Sequence, residues 1–143
     1  MLPYAEKVAA ELGVDPKVLV AQSALETGWG EHTIQDRYGR TSFNLFNIKA
    51  DSRWQGHSVN VPTIEYRDGV AQKESANFRR YDSIGESFDD YLNFIKQPRY
   101  EKALTVVDNS SAYVNELQQA GYATDPSYAK KINAIINDYF VSQ

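Results

Sequence analysis

Hydrophobic positions recur at helical spacing in several blocks of this chain, interrupted once by a strand-like alternation. Ala5, Val8, Ala9 and Leu12 share one helical face behind Pro3, which suits a first turn, and Gly13 suits a left-handed stop. Asp15 and Pro16 read as N-cap and first position of a second helix that runs to about Thr27 and ends at Gly28. From Gly28 to about Asn60 the chain is dense in Gly, Asn, Ser and aromatic residues, without a sustained period. Long irregular connections of this kind inside a domain usually carry function. Val59 to Tyr66 alternates in part, Asp68-Gly69 follows, and Val70 to Phe78 completes a predicted hairpin with a primed turn.

Ser83 and Glu86 have capping-box spacing, and Ile84, Phe88, Tyr91, Leu92 and Ile95 fall on one face of a third helix that ends near Pro98. A short helix is expected from Arg99 to about Val107. Another is capped by Asn109 or Ser110 and stops at Gly121, and a last one opens at Asp125-Pro126 and runs to about Phe140. The pattern predicts an α+β fold, predominantly α, with one inserted hairpin. The length of 143 residues suits a single domain spanning 1–143 with one real core.

Composition narrows the function. A formal net charge of −4, with no cluster of Lys and Arg, argues against nucleic acid as a partner. No apolar run approaches the roughly 20 residues of a membrane span. The absence of cysteine removes disulfides and thiolate chemistry, and His32 and His57 lack neighbouring ligands, so neither a metal nor a cofactor is expected. The chain also lacks a phosphate-binding glycine loop and a nucleophile elbow. Ten Tyr, six Phe and two Trp are many for this length, and Trp29, Trp54, Tyr81 and Tyr122 fall in predicted loops or helix ends, where rings can stack on a sugar.

Chemistry concentrates in the second helix. Val14, Val18, Ala21 and Leu25 make one apolar stripe, Leu19 and Val20 widen it, and Ser23 and Thr27 are left as a small polar strip. Glu26 lies off that strip, without a cation one turn away, at the negative end of the helix dipole. All of this raises its pKa, as the proton donor of a glycosidase requires. Pairing with a distant Lys or Arg is the alternative. Glu65 in the hairpin is a second candidate carboxylate, with an exposed strand residue as its plain alternative. Asp89 and Asp90 face away from Phe88, Leu92 and Ile95, which makes solvated charge their default.

The segments Ala21-Gln22-Ser23-Ala24-Leu25-Glu26-Thr27-Gly28-Trp29-Gly30, Ser42-Phe43-Asn44-Leu45-Phe46-Asn47-Ile48-Lys49-Ala50, Trp54-Gln55-Gly56, Thr63-Ile64-Glu65-Tyr66, Phe78-Arg79-Arg80-Tyr81, Glu86-Ser87-Phe88-Asp89-Asp90-Tyr91 and Ala120-Gly121-Tyr122-Ala123-Thr124-Asp125-Pro126 resemble glycoside hydrolase family 73, in order and over nearly the whole chain. The resemblance implies a lysozyme-like fold, with a helical lobe, a β-hairpin lobe and a cleft for a peptidoglycan strand. It assigns Glu26 as general acid, Glu65 as the hairpin carboxylate, Asp90 as a catalytic aspartate of flagellar members, and Tyr122 as a tyrosine near the reacting sugar. Asn44 joins Trp29, Trp54 and Tyr81 as an expected substrate contact. Asn47 stands where the family usually has Gly, and local adjustment without loss of activity is expected. The implied activity is that of a β-N-acetylglucosaminidase, with a muramidase or a non-catalytic glycan-binding module as alternatives. Resemblance to the flagellar members further implies delivery to the periplasm by flagellar export, rod proteins as partners, and a rod-capping domain upstream of a fragment such as this.

Overall fold

The computed structural model describes residues 2–138. Its helices are α1 (Leu2–Leu12), α2 (Pro16–Thr27), α3 (Ile84–Ile95), α4 (Glu101–Leu104), α5 (Ser110–Gln119) and α6 (Tyr128–Ile136), and its strands are β1 (Ser58–Arg67) and β2 (Val70–Arg79). The architecture is α+β, with the helices in one body and the two antiparallel strands forming a hairpin beside it. The order of the helical elements follows the predicted one, with the largest difference in the segment from Arg99 to Val107.

The sequence accounts for most boundaries. The Asp15 carboxylate accepts from the Lys17 amide, Pro16 fills the first turn, and Gly28 closes α2 at φ 57. A side chain at Gly28 would strain the left-handed backbone and meet the His32 ring at 2.7 Å, so glycine closes the helix at the least cost. Asp68 and Gly69 both have positive φ, 53 and 81, which is the primed two-residue turn, and they set the register Arg67↔Val70 through Ser58↔Arg79. Ser83 caps α3 by accepting from the Glu86 amide.

Three expectations need correction. Arg99 to Val107 is not one helix: Pro98–Tyr100 is a 3-10 turn, and α4 is a single turn that Thr105 closes by donating its hydroxyl and amide to the Lys102 carbonyl. The last helix starts at Tyr128 and not at Asp125-Pro126, because the Asp125 carboxylate accepts from Ser127 N, forming a separate turn ahead of the helix. The predicted stretch from Asp138 to Phe140 lies largely outside the described residues. Finally, Ser23 and Thr27 are buried and not a polar strip. The Thr27 hydroxyl donates to the Ser23 carbonyl and accepts from Gly30 N, so its polarity is satisfied without water.

α2 lies at the centre of the helical body, packed by α1 and α6, and is buried around most of its circumference. Leu19, Phe46, Phe88, Tyr91, Ile95, Tyr113, Leu117 and Ile132 fill the core around it. Each of the larger apolar side chains contributes about 1.5–3 kcal/mol from burial. The hairpin is different, since along its twenty residues only Val59, Glu65, Phe78 and Arg79 are buried. A carboxylate among so few buried positions marks where the hairpin meets something other than solvent.

Candidate active site

Between the helical body and the hairpin runs a cleft of about 680 Å³. Glu26 enters it from the last turn of α2, Asn47 and Lys49 from the loop before β1, Glu65 from β1, Tyr122 and Thr124 from the α5–α6 connection, and Lys131 from α6. Five parts of the chain therefore bring Glu26 and Glu65 together with the residues that control them.

Glu26 has its carboxyl pushed up from 4.5 to about 7. Loss of solvation is the main cause, and the negative charges of Asp125 and Glu65 add to it. A hydrogen bond from Asn47 Nδ2 to Oε2 at 2.7 Å and the distant Lys131 charge oppose the rise without cancelling it. The group is thus substantially protonated near neutral pH and faces the cleft.

Glu65 is held in the opposite state. Burial pushes its carboxyl up, but Lys49 pairs with Oε1, Thr124 Oγ1 donates to Oε2 at 2.7 Å, and the charges of Lys49 and Arg67 add attraction. The net pKa lies below the ordinary glutamate value, so Glu65 is ionised where Glu26 is not. The residue is 6% exposed, which sets aside the reading of an exposed strand position. Thr124 also accepts from Tyr66 N at 2.9 Å, tying β1 to the α5–α6 connection beside the carboxylate.

Tyr122 lies on the cleft floor, its hydroxyl donating to the Phe46 carbonyl at 3.2 Å and its ring packed against Tyr91, Phe94, Tyr100 and Tyr128. Burial holds its phenol well above the ordinary tyrosine range, so it is neutral. Behind Glu26, the fully buried Gln22 donates to Tyr128 OH at 2.8 Å and accepts from Tyr91 OH at 2.6 Å. Tyr91 and Tyr113 hydroxyls meet at 2.8 Å. The sequence alone does not single out Gln22; a glutamine within the nearly all-round apolar α2 is the one signal available, and its tyrosine partners lie 69 and 106 residues away, beyond the reach of spacing.

Other predicted residues are not among those lining the cleft. Asn44 is fully buried and shapes the loop: its Nδ2 donates to the Ile48 and Arg79 carbonyls, each at 2.9 Å, and its Oδ1 accepts from Ile48 N. Asp90 pairs with Arg79 at 2.9 Å and accepts from the Tyr81 hydroxyl, so it is a paired, half-buried charge and not the solvated one expected from the pattern. Trp54 packs edge-on to Tyr81 and lies under the Arg79 guanidinium at 4.9 Å. Arg79 Nε donates to the Lys49 carbonyl at 3.0 Å. The cluster of Trp54, Arg79, Tyr81 and Asp90 thus braces the backbone that presents Lys49. Trp29, 53% exposed, borders a separate apolar groove of about 360 Å³. Among the described residues, no group of three or more His, Cys, Asp or Glu is arranged to hold a metal.

Residues 2–140 match the family model described as mannosyl-glycoprotein endo-beta-N-acetylglucosaminidase, which is nearly the whole chain. The chain belongs to the glucosaminidase family. Glucosaminidase membership makes it a glycosidase domain, and its fold is the lysozyme-like one of its structural neighbours. It is 50% identical over 133 residues to the peptidoglycan hydrolase FlgJ of Vibrio parahaemolyticus, covering 92% of this chain and 43% of that protein. It is 51% identical over 136 residues to FlgJ of Pseudomonas aeruginosa, covering 94% and 34%. A crystal structure of a peptidoglycan hydrolase mutant from Sphingomonas sp. A1 superposes with a TM-score of 0.91 at 45% identity, covering 99% of this chain and 92% of that one. This glucosaminidase domain spans less than half the length of these two curated relatives.

Proposed function

We propose that this domain hydrolyses β-1,4 glycosidic bonds of the peptidoglycan backbone as a β-N-acetylglucosaminidase, with Glu26 as general acid. The observation that carries the proposal is the opposed state of two carboxyls on one cleft: Glu26 protonated near neutral pH and Glu65 ionised. Glu26 delivers its proton to the glycosidic oxygen, and the C1–O electron pair leaves with the departing sugar. Positive charge develops on the sugar ring, which the Glu65 carboxylate stabilises until water forms the new bond to C1 and the proton it releases restores Glu26. Both Glu65 oxygens are already engaged, by Lys49 and by Thr124, which favours a fixed charge over a nucleophile. Tyr122 contributes a neutral ring and a fixed cleft floor. Asp90 acts at a distance, through Arg79 and the Lys49 backbone.

The peptidoglycan substrate is supported by the names of relatives that match more than nine-tenths of this chain. By the same likeness to FlgJ, the setting is the cell wall outside the cytoplasm, in the periplasm, during flagellar assembly, with rod proteins as neighbours. No described helix is long and apolar enough to cross a membrane. The test is digestion of purified peptidoglycan followed by identification of the new reducing ends. N-acetylglucosamine ends support the proposal, and N-acetylmuramic acid ends make the domain a muramidase. Glu26→Gln is expected to lose activity by a factor of about 10³ or more while remaining folded. Undiminished lysis by that variant would remove Glu26 as the acid.

A further inference from the structure

Asn47 combines three features at one position. Its backbone is left-handed, at φ 50, a region that costs energy for a residue with a side chain even though Asn bears it better than most. Its amide nitrogen donates twice to the same residue, to Glu26 Oε2 at 2.7 Å and to the Glu26 main-chain carbonyl at 3.3 Å. Its amide oxygen Oδ1 is buried and has no hydrogen-bond partner. Turning the amide over would bring Oδ1 against the Glu26 carbonyl, acceptor against acceptor, so Glu26 itself dictates the orientation. Two local costs therefore meet in a side chain whose hydrogen bonds both end on Glu26. Costs of this kind persist where the surrounding structure uses the residue.

We propose that Asn47 is a positioning residue that ties Glu26 Oε2 back to its own main chain and so leaves Oε1 to carry and deliver the proton. This rests on Glu26 being the acid. In a protonated carboxyl, the oxygen without hydrogen is the better acceptor, so an amide donor held against Oε2 places the proton on Oε1. As the proton passes from Oε1 to the glycosidic oxygen, the carboxyl becomes a carboxylate, and the Asn47 hydrogen bond becomes charge-assisted and stronger. The contact is then worth more after proton transfer than before, which is the condition for lowering a barrier and not merely for binding. It also opposes the rise that burial imposes on Glu26.

Two variants test this beside Glu26→Gln. Asn47→Gly removes the side chain and suits the positive φ, and Asn47→Ala removes the N–H donor without adding a charge. Each is expected to lower kcat about ten- to a hundredfold with KM little changed. Each is also expected to move the Glu26 titration, read by carboxyl carbon chemical shift, and the alkaline limit of activity upward by about one pH unit. Melting followed by circular dichroism identifies the folded variants, and if one fails to fold the other decides. Wild-type kcat and an unmoved Glu26 titration in a folded variant, with Glu26→Gln inactive, would overturn the positioning role alone. An active Glu26→Gln would instead overturn the acid on which it rests.

Discussion

Replacing Glu26 with Gln should stabilise the domain at alkaline pH while abolishing its activity. The unfolded chain releases the Glu26 proton near 4.5, whereas the folded site holds it to about pH 7. Below 4.5 both states are protonated and the group has no effect on stability. As pH rises from there, the unfolded state sheds its proton first, so stability falls with pH until about 7 and is level above it. Those limits differ by about 2.5 pH units, which at about 1.4 kcal/mol per unit makes the full cost about 3 kcal/mol. Gln is neutral at every pH, and its side-chain oxygen still accepts from Asn47 Nδ2, so the variant avoids the cost without opening a cavity. Thermal melts of both proteins at pH 4 and pH 8.5 provide the assay, because groups common to both cancel in the comparison. The variant should gain about 6–12 °C over wild type at pH 8.5, and much less at pH 4. An equal difference at both pH values, or none at 8.5, would refute the view that a desolvated, chargeable Glu26 burdens this fold.

Glu65 gives the opposite titration. Its pKa is lowered, so activity that requires its charge is present above the ordinary glutamate range and lost only as pH falls through the lower folded value. Lys49→Met removes the Oε1 partner, and the acid limb of kcat/KM is expected to move to higher pH while the alkaline limb stays with Glu26. An unmoved acid limb would show that Lys49 does not set the charge of Glu65. Hydrogen exchange should be faster along the outer hairpin, around Arg67 to Lys73, and in the irregular stretch between α2 and β1 than in α2, since the hairpin buries few side chains. Equal protection of hairpin and α2 would contradict this.

The parts of the fold legible from sequence are those where local chemistry and tertiary packing agree. Asp15-Pro16, Gly28, Asp68-Gly69 and Ser83 with Glu86 each fix an end through backbone geometry that needs no distant partner. The errors arise where a side chain finds an unforeseen partner. Thr27 spends its hydroxyl on Ser23 and Gly30, which turns a predicted polar strip into core. Asp125 turns the chain before α6 when its pattern suggested a cap within it. The awkward placing of Glu26, with no cation within a turn and the wrong dipole end, was visible in α2 alone. The controls on Glu65 were not, because Lys49 and Thr124 lie 16 and 59 residues from it. Alternation and burial pattern say nothing about pairs so separated. Tyr81 was singled out by its place in a predicted loop and Asp90 by the family resemblance, yet the fold pairs them with each other and Asp90 with Arg79.

The anchoring of Glu65 from outside its own hairpin bears on how the molecule acquires competence. Glu26 is set in place when α2 is enclosed by its neighbouring helices, a step dominated by the helical core. Glu65 reaches its final position only when the hairpin docks on two other segments, the loop carrying Lys49 and the connection carrying Thr124. Helical signal and lytic activity therefore report different parts of the structure, and a substitution that weakens only the anchorage of the hairpin is expected to lower lysis while leaving the helical spectrum intact.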